Sequence, residues 1–514
     1  MTGAESLLRT LVGAGADVCF ANPGTTEMPL VAALDRVPGV RSVLGLFEGV
    51  CTGAADGFAR MAGRPALTLL HLGPGLANGL ANLHNARRAR TPLINLVGDH
   101  ATWHLAADAP LTSDIPSLAG PVSKWVRTAR SARELAADGA LAFAAAMDAP
   151  GGVATLIVPA DCQWEPAEGP APVPSRKDPR PAADAQVAAA AEALRGGAAT
   201  LLLGGRSLTT RGLGAAARVA EGSACAVFVE GFSARQERGL GLPAFPRLPY
   251  FPEQVTAALA GRRALVRAGA ASPVAFFGYP GQPSRLVPEG CRDLVLAGPE
   301  HDVESALEAL AERLGAPAAT RPGQPPRPSA AEAGALDPAS LGRTLAALQP
   351  EGAVVVDEAA TSGLAWSEHA AGAPPHTVLS LTGGAIGQGP PCATGAAVAC
   401  PDRRVIAFQA DGSALYTLQA LWTQAREGLA VTTVICANQR YRILQVELAR
   451  AGVAEPGPAA RSLTELRSPA LDWVALARGF GVEAWRADDA ASFRDALARA
   501  LATPGPTLVE ALLS

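Results

Sequence analysis

The chain has 514 residues, 49% hydrophobic and 18% charged, with a formal net charge of −4. That length is more than one hydrophobic core serves and points to about three domains. The apolar content excludes a disordered chain, and the charge leaves no basic footprint for nucleic acid or an anionic membrane.

The first helix is expected where Leu7, Leu8, Leu11 and Val12 give an amphipathic spacing. Glu48 stands in the apolar run Leu44 to Val50, an acid at the end of a strand, followed by a helix of small residues from Cys51 to Arg60. Ala66 to Leu70, Leu93 to Val97 and Thr155 to Val158 read as buried strands, and His71 closes the first of them. Glu165 to Ala182 is dense in proline and reads as a linker. Thr200 to Leu203 with Gly204 and Gly205 makes a strand and turn, and Cys225 to Val229 another strand. A second linker runs from Arg321 to Gly334. Beyond it, Val354 to Val356, Arg404 to Phe408, Val431 to Cys436 and Thr507 to Val509 read as strands, with helices at Tyr416 to Glu427 and Ala490 to Ala502. Continuous apolar strands alternating with helices belong to parallel sheets covered on both faces. The expectation is an α/β protein of three doubly wound parallel-sheet domains, at residues 1–164, 183–320 and 335–514.

The eight cysteines form no C-x-x-C pair and sit mostly in apolar runs, which predicts reduced core thiols and a cytoplasmic protein. No basic-then-apolar leader opens the sequence, and no stretch is long and apolar enough to suggest a membrane span. His100 and His104, near Asp99 and Asp108, lack a third ligand and a clear helix, so they are read as a non-metal pair.

The segment from Arg404 to Leu444 is the most informative. A strand leads into Ala410-Asp411-Gly412-Ser413, and the next strand leads into Asn438-Gln439-Arg440-Tyr441. In an open parallel sheet both tips fall on the carboxyl edge, where ligands bind. Asp411 and Asn438 offer the hard oxygen donors that Mg²⁺ requires, and Gly412 and Ser413 open the following helix, with N–H groups free to face phosphate. Alone, these residues suit a capping Asp and a turn Asn equally well. The separation of Asp411 from Asn438 by one strand–helix–strand unit resembles the cofactor motif of thiamin-diphosphate (ThDP) enzymes, with Ala410 in place of its first glycine. The resemblance implies that Asp411, Asn438 and the main-chain carbonyl of Arg440 bind Mg²⁺, with Gly412, Ser413 and Tyr441 at the cofactor.

Four further motifs extend the resemblance along nearly the whole chain. Glu48, in E-x-x-x-x-x-A-A-D-G-F-A-R, is similar to the cofactor-activating glutamate of the acetolactate synthase, pyruvate oxidase and benzoylformate decarboxylase group. Phe20 to Glu27 resembles that group's first strand-to-helix turn, which implies Asn22, Pro23 and Gly24 beside the cofactor and the Thr25 hydroxyl on the substrate carboxylate. His71 matches an active-site histidine, with a proton-relay role implied, and Asn78 lies in the Gly-rich turn after it. In Thr382 to Gly389, the Gly384 carbonyl would accept from the aminopyrimidine and Ile386 would wedge the cofactor into its bent shape. Thr361 would contact the diphosphate. The implied activity is ThDP- and Mg²⁺-dependent decarboxylation or carboligation of a 2-oxo acid. A homodimer or homotetramer with active sites between subunits is implied, because Glu48 and Asp411 lie in different domains. The alternatives are a 2-hydroxyacyl-CoA or oxalyl-CoA lyase and a non-catalytic ThDP-fold regulatory subunit. The joint presence of Glu48, Asp411 and Asn438 argues against the second. A nicotinamide enzyme would need a G-x-G-x-x-G after a strand, which is absent.

Overall fold

The computed structural model describes residues 1–318, 323 and 325–513. Ala319, Thr320, Arg321, Pro322, Gln324 and Ser514, which fall at expected domain or linker positions, lie outside the described residues. The chain begins with helix Gly3–Ala14, closed by a capping box in which Thr2 and Glu5 each accept the other's backbone N–H. Leu7, Leu8 and Leu11 face inward, as their spacing requires.

Six strands follow: β1 (Val18–Asn22), β2 (Arg41–Leu44), β3 (Ala66–Leu70), β4 (Leu93–Asp99), β5 (Trp125–Thr128) and β6 (Val153–Pro159). They form one sheet in the order β2-β1-β3-β4-β6-β5, every pair parallel. β3, β4 and β6 are buried at every residue, the mark of strands covered on both faces. The chain steps from β1 outward to β2 and then to β3 on the other side of β1. That reversal opens a crevice at the carboxyl ends of β1 and β3.

Residues 177–326 and 371–380 form a separate compact unit. Its strands are β7 (Ala199–Leu203), β8 (Ala226–Val229), β9 (Gln236–Arg238), β10 (Ala264–Ala268) and β11 (Arg292–Ala297). The parallel order β11-β10-β7-β8 is packed around Leu201, Val266, Leu307 and Leu310.

The C-terminal strands are β12 (Val354–Glu358), β13 (His376–Ser380), β14 (Val405–Ala410), β15 (Val431–Ala437), β16 (Glu483–Ala487) and β17 (Thr507–Leu512). β13 belongs to the separate unit, where it pairs antiparallel with β9. The other five run in the order β16-β17-β15-β14-β12, all parallel. The protein is thus α/β with three parallel-dominated sheets and helices between the strands. Among the described residues no helix is long and apolar enough to cross a membrane.

The N-terminal and C-terminal sheets share one compact unit. Helix Glu48–Ala62 packs against helix Gly389–Ala399 with almost no side chain between them. A Cβ on Gly57 would lie 2.0 Å from the Cys392 carbonyl oxygen, and one on Gly395 would lie 1.7 Å from that of Ala54. At this contact the buried Arg60 donates to Asp56 at 2.8 and 2.7 Å. Asp56 also accepts from Thr91 at 2.6 Å and from the Gln388 amide at 2.6 Å, so no charge is left unpaired.

Two local expectations differ from the structure. In place of one helix over Tyr416 to Glu427 there is a 3₁₀ turn, Leu415–Thr417, and a shorter helix, Ala420–Arg426. The Thr417 hydroxyl is drawn to the Gly387 carbonyl at 2.7 Å, a tertiary bond that local propensity does not contain. Likewise the helix opened by Gly412 and Ser413 is only the turn Asp411–Ala414. The first linker has no helix or strand, but its start is tied to the first helix, with Gly3 N–H on Glu165 O at 2.9 Å and Ala171 N–H on Thr10 Oγ1 at 3.0 Å.

Candidate active site

The crevice beside β1 and β3 holds the first cluster. β1 ends at Asn22 and runs through Pro23 and Gly24 into the 3₁₀ turn Thr25–Glu27. Glu27 turns back into the interior, fully buried, and accepts the Gly24 N–H at 2.7 Å. Gly98 of β4 faces its carboxylate so closely that a Cβ there would lie 1.7 Å from Oε1. His71 follows β3 and precedes helix Leu72–Ala89. Its Nδ1 lies 2.8 Å from Glu27 Oε2. A carboxylate accepts, so it selects the imidazole form that donates from Nδ1, leaving Nε2 to exchange protons with a ligand. Gly24 makes room, since a Cβ there would lie 2.3 Å from Nδ1. Among the described residues the hydroxyl that approaches His71 is that of Thr26, at 3.4 Å, and Thr25 is exposed on the turn.

Glu48 does not end a strand. β2 stops at Leu44, and Glu48 is the first residue of the next helix, 8% exposed. Asn78 donates to its Oε2 at 2.9 Å. Glu48 and His71 flank one glycine: a Cβ on Gly75 would lie 3.0 Å from Glu48 Oε1 and 3.4 Å from His71 Cβ. The Glu48 carboxylate and the base of the His71 side chain therefore lie on either side of Gly75.

Asn78 stands in register with Asn82 and Asn85 on the same face of helix Leu72–Ala89. Asn82 and Asn85 of that row, with the neighbouring His84, bond the turn bearing Gly384 and Ile386. The Asn85 amide donates to Ala385 O at 2.8 Å and accepts from Ala385 N at 3.2 Å, Asn82 bonds Gly49 O at 2.8 Å, and a His84 ring nitrogen lies 3.1 Å from Gly383 O. Gly384 and Gly387 have φ of 78° and 93°, left-handed values that glycine adopts without strain. Ile386, between them, is an aliphatic side chain only partly covered.

The third cluster lies at the tips of β12, β14 and β15. Asp411 follows β14, is 1% exposed, and accepts N–H groups from Gly412 at 2.8 Å and Gln439 at 2.6 Å. Burial pushes its carboxyl above the ordinary value, against the pull of those N–H groups and the Arg440 charge. Asn438 accepts the Arg440 N–H at 3.0 Å through Oδ1. Thr361, Asn438 and Arg440 line a cleft of about 340 Å³ with Pro338, Ser362, Arg442 and Leu513. Asp411 and Asn438 stand at the tips of adjacent strands, and carboxylate and amide oxygens are the hard donors that Mg²⁺ prefers, while the arginines and hydroxyls of the cleft suit a diphosphate. The Tyr441 ring covers Gly412, where a Cβ would lie 2.4 Å from the ring. Ala410 is extended (φ −77°, ψ 145°), so its methyl causes no backbone strain.

Among the described residues, three of the seven non-glycine residues with positive φ stand at the same places. Leu72, Ala360 and Gln439 have φ of 48°, 50° and 56°, next to His71, Thr361 and Asn438. Such non-glycine conformations cost about 1–3 kcal/mol and persist where surrounding contacts enforce them. Sequence reasoning missed Glu27, Asn82, Asn85 and Glu358. Glu27 stood two residues after Thr25, but its partner His71 is reached only through the β1–β3 pairing.

Comparison with known proteins agrees with this geometry. The profile of "Thiamine pyrophosphate enzyme, N-terminal TPP binding domain" matches residues 1–116, and "Thiamine pyrophosphate enzyme, C-terminal TPP binding domain" matches residues 360–511. A Mycobacterium tuberculosis protein provisionally named acetolactate synthase large subunit IlvX is 51% identical over 100% of this chain and 99% of its own. Benzoylformate decarboxylase of Pseudomonas aeruginosa is 31% identical over 96% of each chain. Among solved structures, the ThDP-dependent 4-hydroxybenzoylformate decarboxylase of Rhodococcus jostii RHA1 superposes with a TM-score of 0.89 at 25% identity, covering 100% of this chain and 99% of that one. The chain belongs to the thiamine pyrophosphate (ThDP) enzyme family, in the group that includes acetolactate synthases and benzoylformate decarboxylases.

Proposed function

We propose that this enzyme uses ThDP and Mg²⁺ to decarboxylate a 2-oxo acid, and that it releases an aldehyde or joins the remaining acyl unit to a second carbonyl. The observation that carries this reading is the Glu48 carboxylate, 8% exposed, held by Asn78 and separated from His71 by Gly75. Bound ThDP would supply the electron sink that cleavage beside a carbonyl requires. Glu48, in a dry setting, would hold the aminopyrimidine by a hydrogen bond, and the crevice around it would exclude water. Thr25 would orient the substrate carboxylate. His71, fixed through Nδ1 by Glu27, would carry a proton at Nε2.

Asp411, Asn438 and the Arg440 carbonyl would hold Mg²⁺. Thr361, Gly412, Ser413 and Tyr441 would surround the diphosphate, with Asn22, Pro23 and Gly24 along the opposite wall. Gly384 and Ile386 would shape the cofactor. On this reading residues 1–164 are the pyrimidine domain, 183–320 the central domain and 335–514 the diphosphate domain. A cytoplasmic homodimer or homotetramer with sites completed between subunits follows from the same reading.

The test is CO₂ release by the purified protein with ThDP and Mg²⁺, over 2-oxo acids from pyruvate to benzoylformate, with the organic product identified. Aldehyde would mark a decarboxylase and a hydroxy ketone or acetohydroxy acid a carboligase. Glu48→Gln should lower turnover by about 10²-fold or more without loss of fold. No CO₂ from any acid, with ThDP bound, would overturn the reading in favour of an acyl-CoA lyase or a regulatory subunit.

A further inference from the structure

Glu358, the last residue of β12, is 5% exposed and has no cationic partner among the described residues. Its two oxygens receive separate backbone groups: Oε1 accepts the Gly387 N–H at 2.6 Å and Oε2 the Gly389 N–H at 2.5 Å. The intervening Gln388 N–H is a third donor toward the carboxyl, opposing the larger effect of burial, which disfavours its ionised form. Three consecutive amides therefore converge on one side chain from another strand.

The converging segment has little freedom to move away. Gly389 presses on Gln409 of β14, where a Cβ would lie 2.1 Å from the side-chain amide. Gly387 O is held by Thr417 at 2.7 Å, and the Gln388 side chain is held by Asp56 at 2.6 Å. Asn82, His84 and Asn85 of helix Leu72–Ala89 bond Gly387, Gly383 and Ala385. Capping helix Gly389–Ala399 would need only a short local side chain such as Ser or Asp. The chain instead places a dry carboxylate there, which is costly unless its hydrogen bonds are satisfied. What it fixes is the C-terminal root of the turn that carries Gly384 and Ile386.

We propose that Glu358 is a positioning residue that sets the height of the Gly384–Ile386 turn above the strand tips and, through it, the conformation in which ThDP is held. This rests on the proposed ThDP function. It concerns no atom that touches the cofactor, so its effect passes through the turn.

The experiment compares wild-type, Glu358→Gln and Glu358→Asp full-length protein with ThDP and Mg²⁺. Binding is read by tryptophan fluorescence quenching, the setting of the bound cofactor by near-ultraviolet circular dichroism, and turnover at saturating ThDP. Glu358→Gln presents an NH₂ group to one of the two N–H donors, and Glu358→Asp withdraws the carboxylate by one methylene. Both should weaken ThDP binding by about tenfold or more, lower kcat at saturating ThDP by about tenfold, and change the circular dichroism of the bound cofactor. A folded variant of either kind with wild-type affinity, kcat and dichroism would overturn the proposal. So would a variant whose only change is a lower melting temperature, since that describes a helix cap. Should Glu358→Gln fail to fold, Glu358→Asp decides alone. Failure of the wild-type chain to bind ThDP would remove the functional reading and this inference together, whereas normal wild-type binding with unaffected variants removes only the inference.

Discussion

His71 Nδ1 lies 2.8 Å from Oε2 of Glu27, a side chain buried completely between the ends of β1 and β4. The carboxylate orients the ring and sets which nitrogen carries the fixed proton, so the pair acts as one group. Glu27→Gln should lower kcat by about tenfold or more with ThDP affinity unchanged, and His71→Ala should do the same. The double variant should be scarcely slower than either single one, because each removes the same function. Multiplicative losses in steady-state kinetics would show that the two residues act independently.

Asp411 is 1% exposed and accepts from backbone N–H groups, with the Arg440 charge acting on it only through space. A divalent ion there would compensate a carboxylate that burial disfavours. Isothermal titration of ThDP should show affinity falling by more than about tenfold in EDTA and returning with Mg²⁺. Asp411→Ala should bind weakly in both conditions. Equal affinity with and without EDTA in the wild-type protein would count against a metal at this tip.

Glu358 gives stability a defined pH dependence. Burial pushes its carboxyl from the ordinary 4.5 up to about 7, against the Gly387, Gln388 and Gly389 N–H groups and with a smaller push from Asp357. The buried Cys392 thiol is the other titratable group that senses its charge. A raised pKa favours the folded state fully below about pH 4.5, and that contribution is lost as pH rises through about 7. The difference corresponds to on the order of 3 kcal/mol. In urea unfolding from acid to mildly alkaline pH, wild-type stability should therefore fall relative to Glu358→Gln as pH rises. A constant gap between the two proteins would show that Glu358 does not titrate in this range.

The contact between helices Glu48–Ala62 and Gly389–Ala399 leaves no room for one more methyl at Gly395. Gly395→Ala forces the helix backbones apart and should destabilise the protein by about 1–3 kcal/mol or more, despite the higher helix propensity of alanine. Gly214→Ala, on an open helix position, is the control and should be neutral or slightly stabilising. Denaturant midpoints distinguish the two.

What was legible in the sequence was what local chemistry specifies. Helix Ala490–Ala502 has the bounds read from its pattern, and the buried strands β3, β4, β6, β14 and β15 announce themselves as apolar runs. His71, Asp411 and Asn438 follow such runs, and together with Glu48 they are singled out by their resemblance to the motifs of the family. Glu27 and Glu358 could not, because their meaning depends on partners supplied by other strands and loops. Helix Tyr416 to Glu427 was misjudged for a related reason, since the Thr417–Gly387 bond reshapes a segment that is helical by propensity alone. The approach of the Thr26 hydroxyl to His71, at 3.4 Å, likewise depends on the curl of the turn and has no local signal.

Asp56 and Gln388, which bond across the glycine-lined helix contact, are 332 residues apart in the chain. During synthesis, everything through the separate unit of residues 177–326 emerges before the covering helix exists. The face of helix Glu48–Ala62 that meets helix Gly389–Ala399 in the finished protein must wait uncovered through that interval. The loop-closure entropy grows only with the logarithm of the separation and is modest at equilibrium. The delay matters kinetically, because a long-lived small-residue surface can find another chain's equivalent helix first. A ribosome that stalls before Gly389 releases a product whose first sheet has strands and connections but lacks the neighbour that completes its fold.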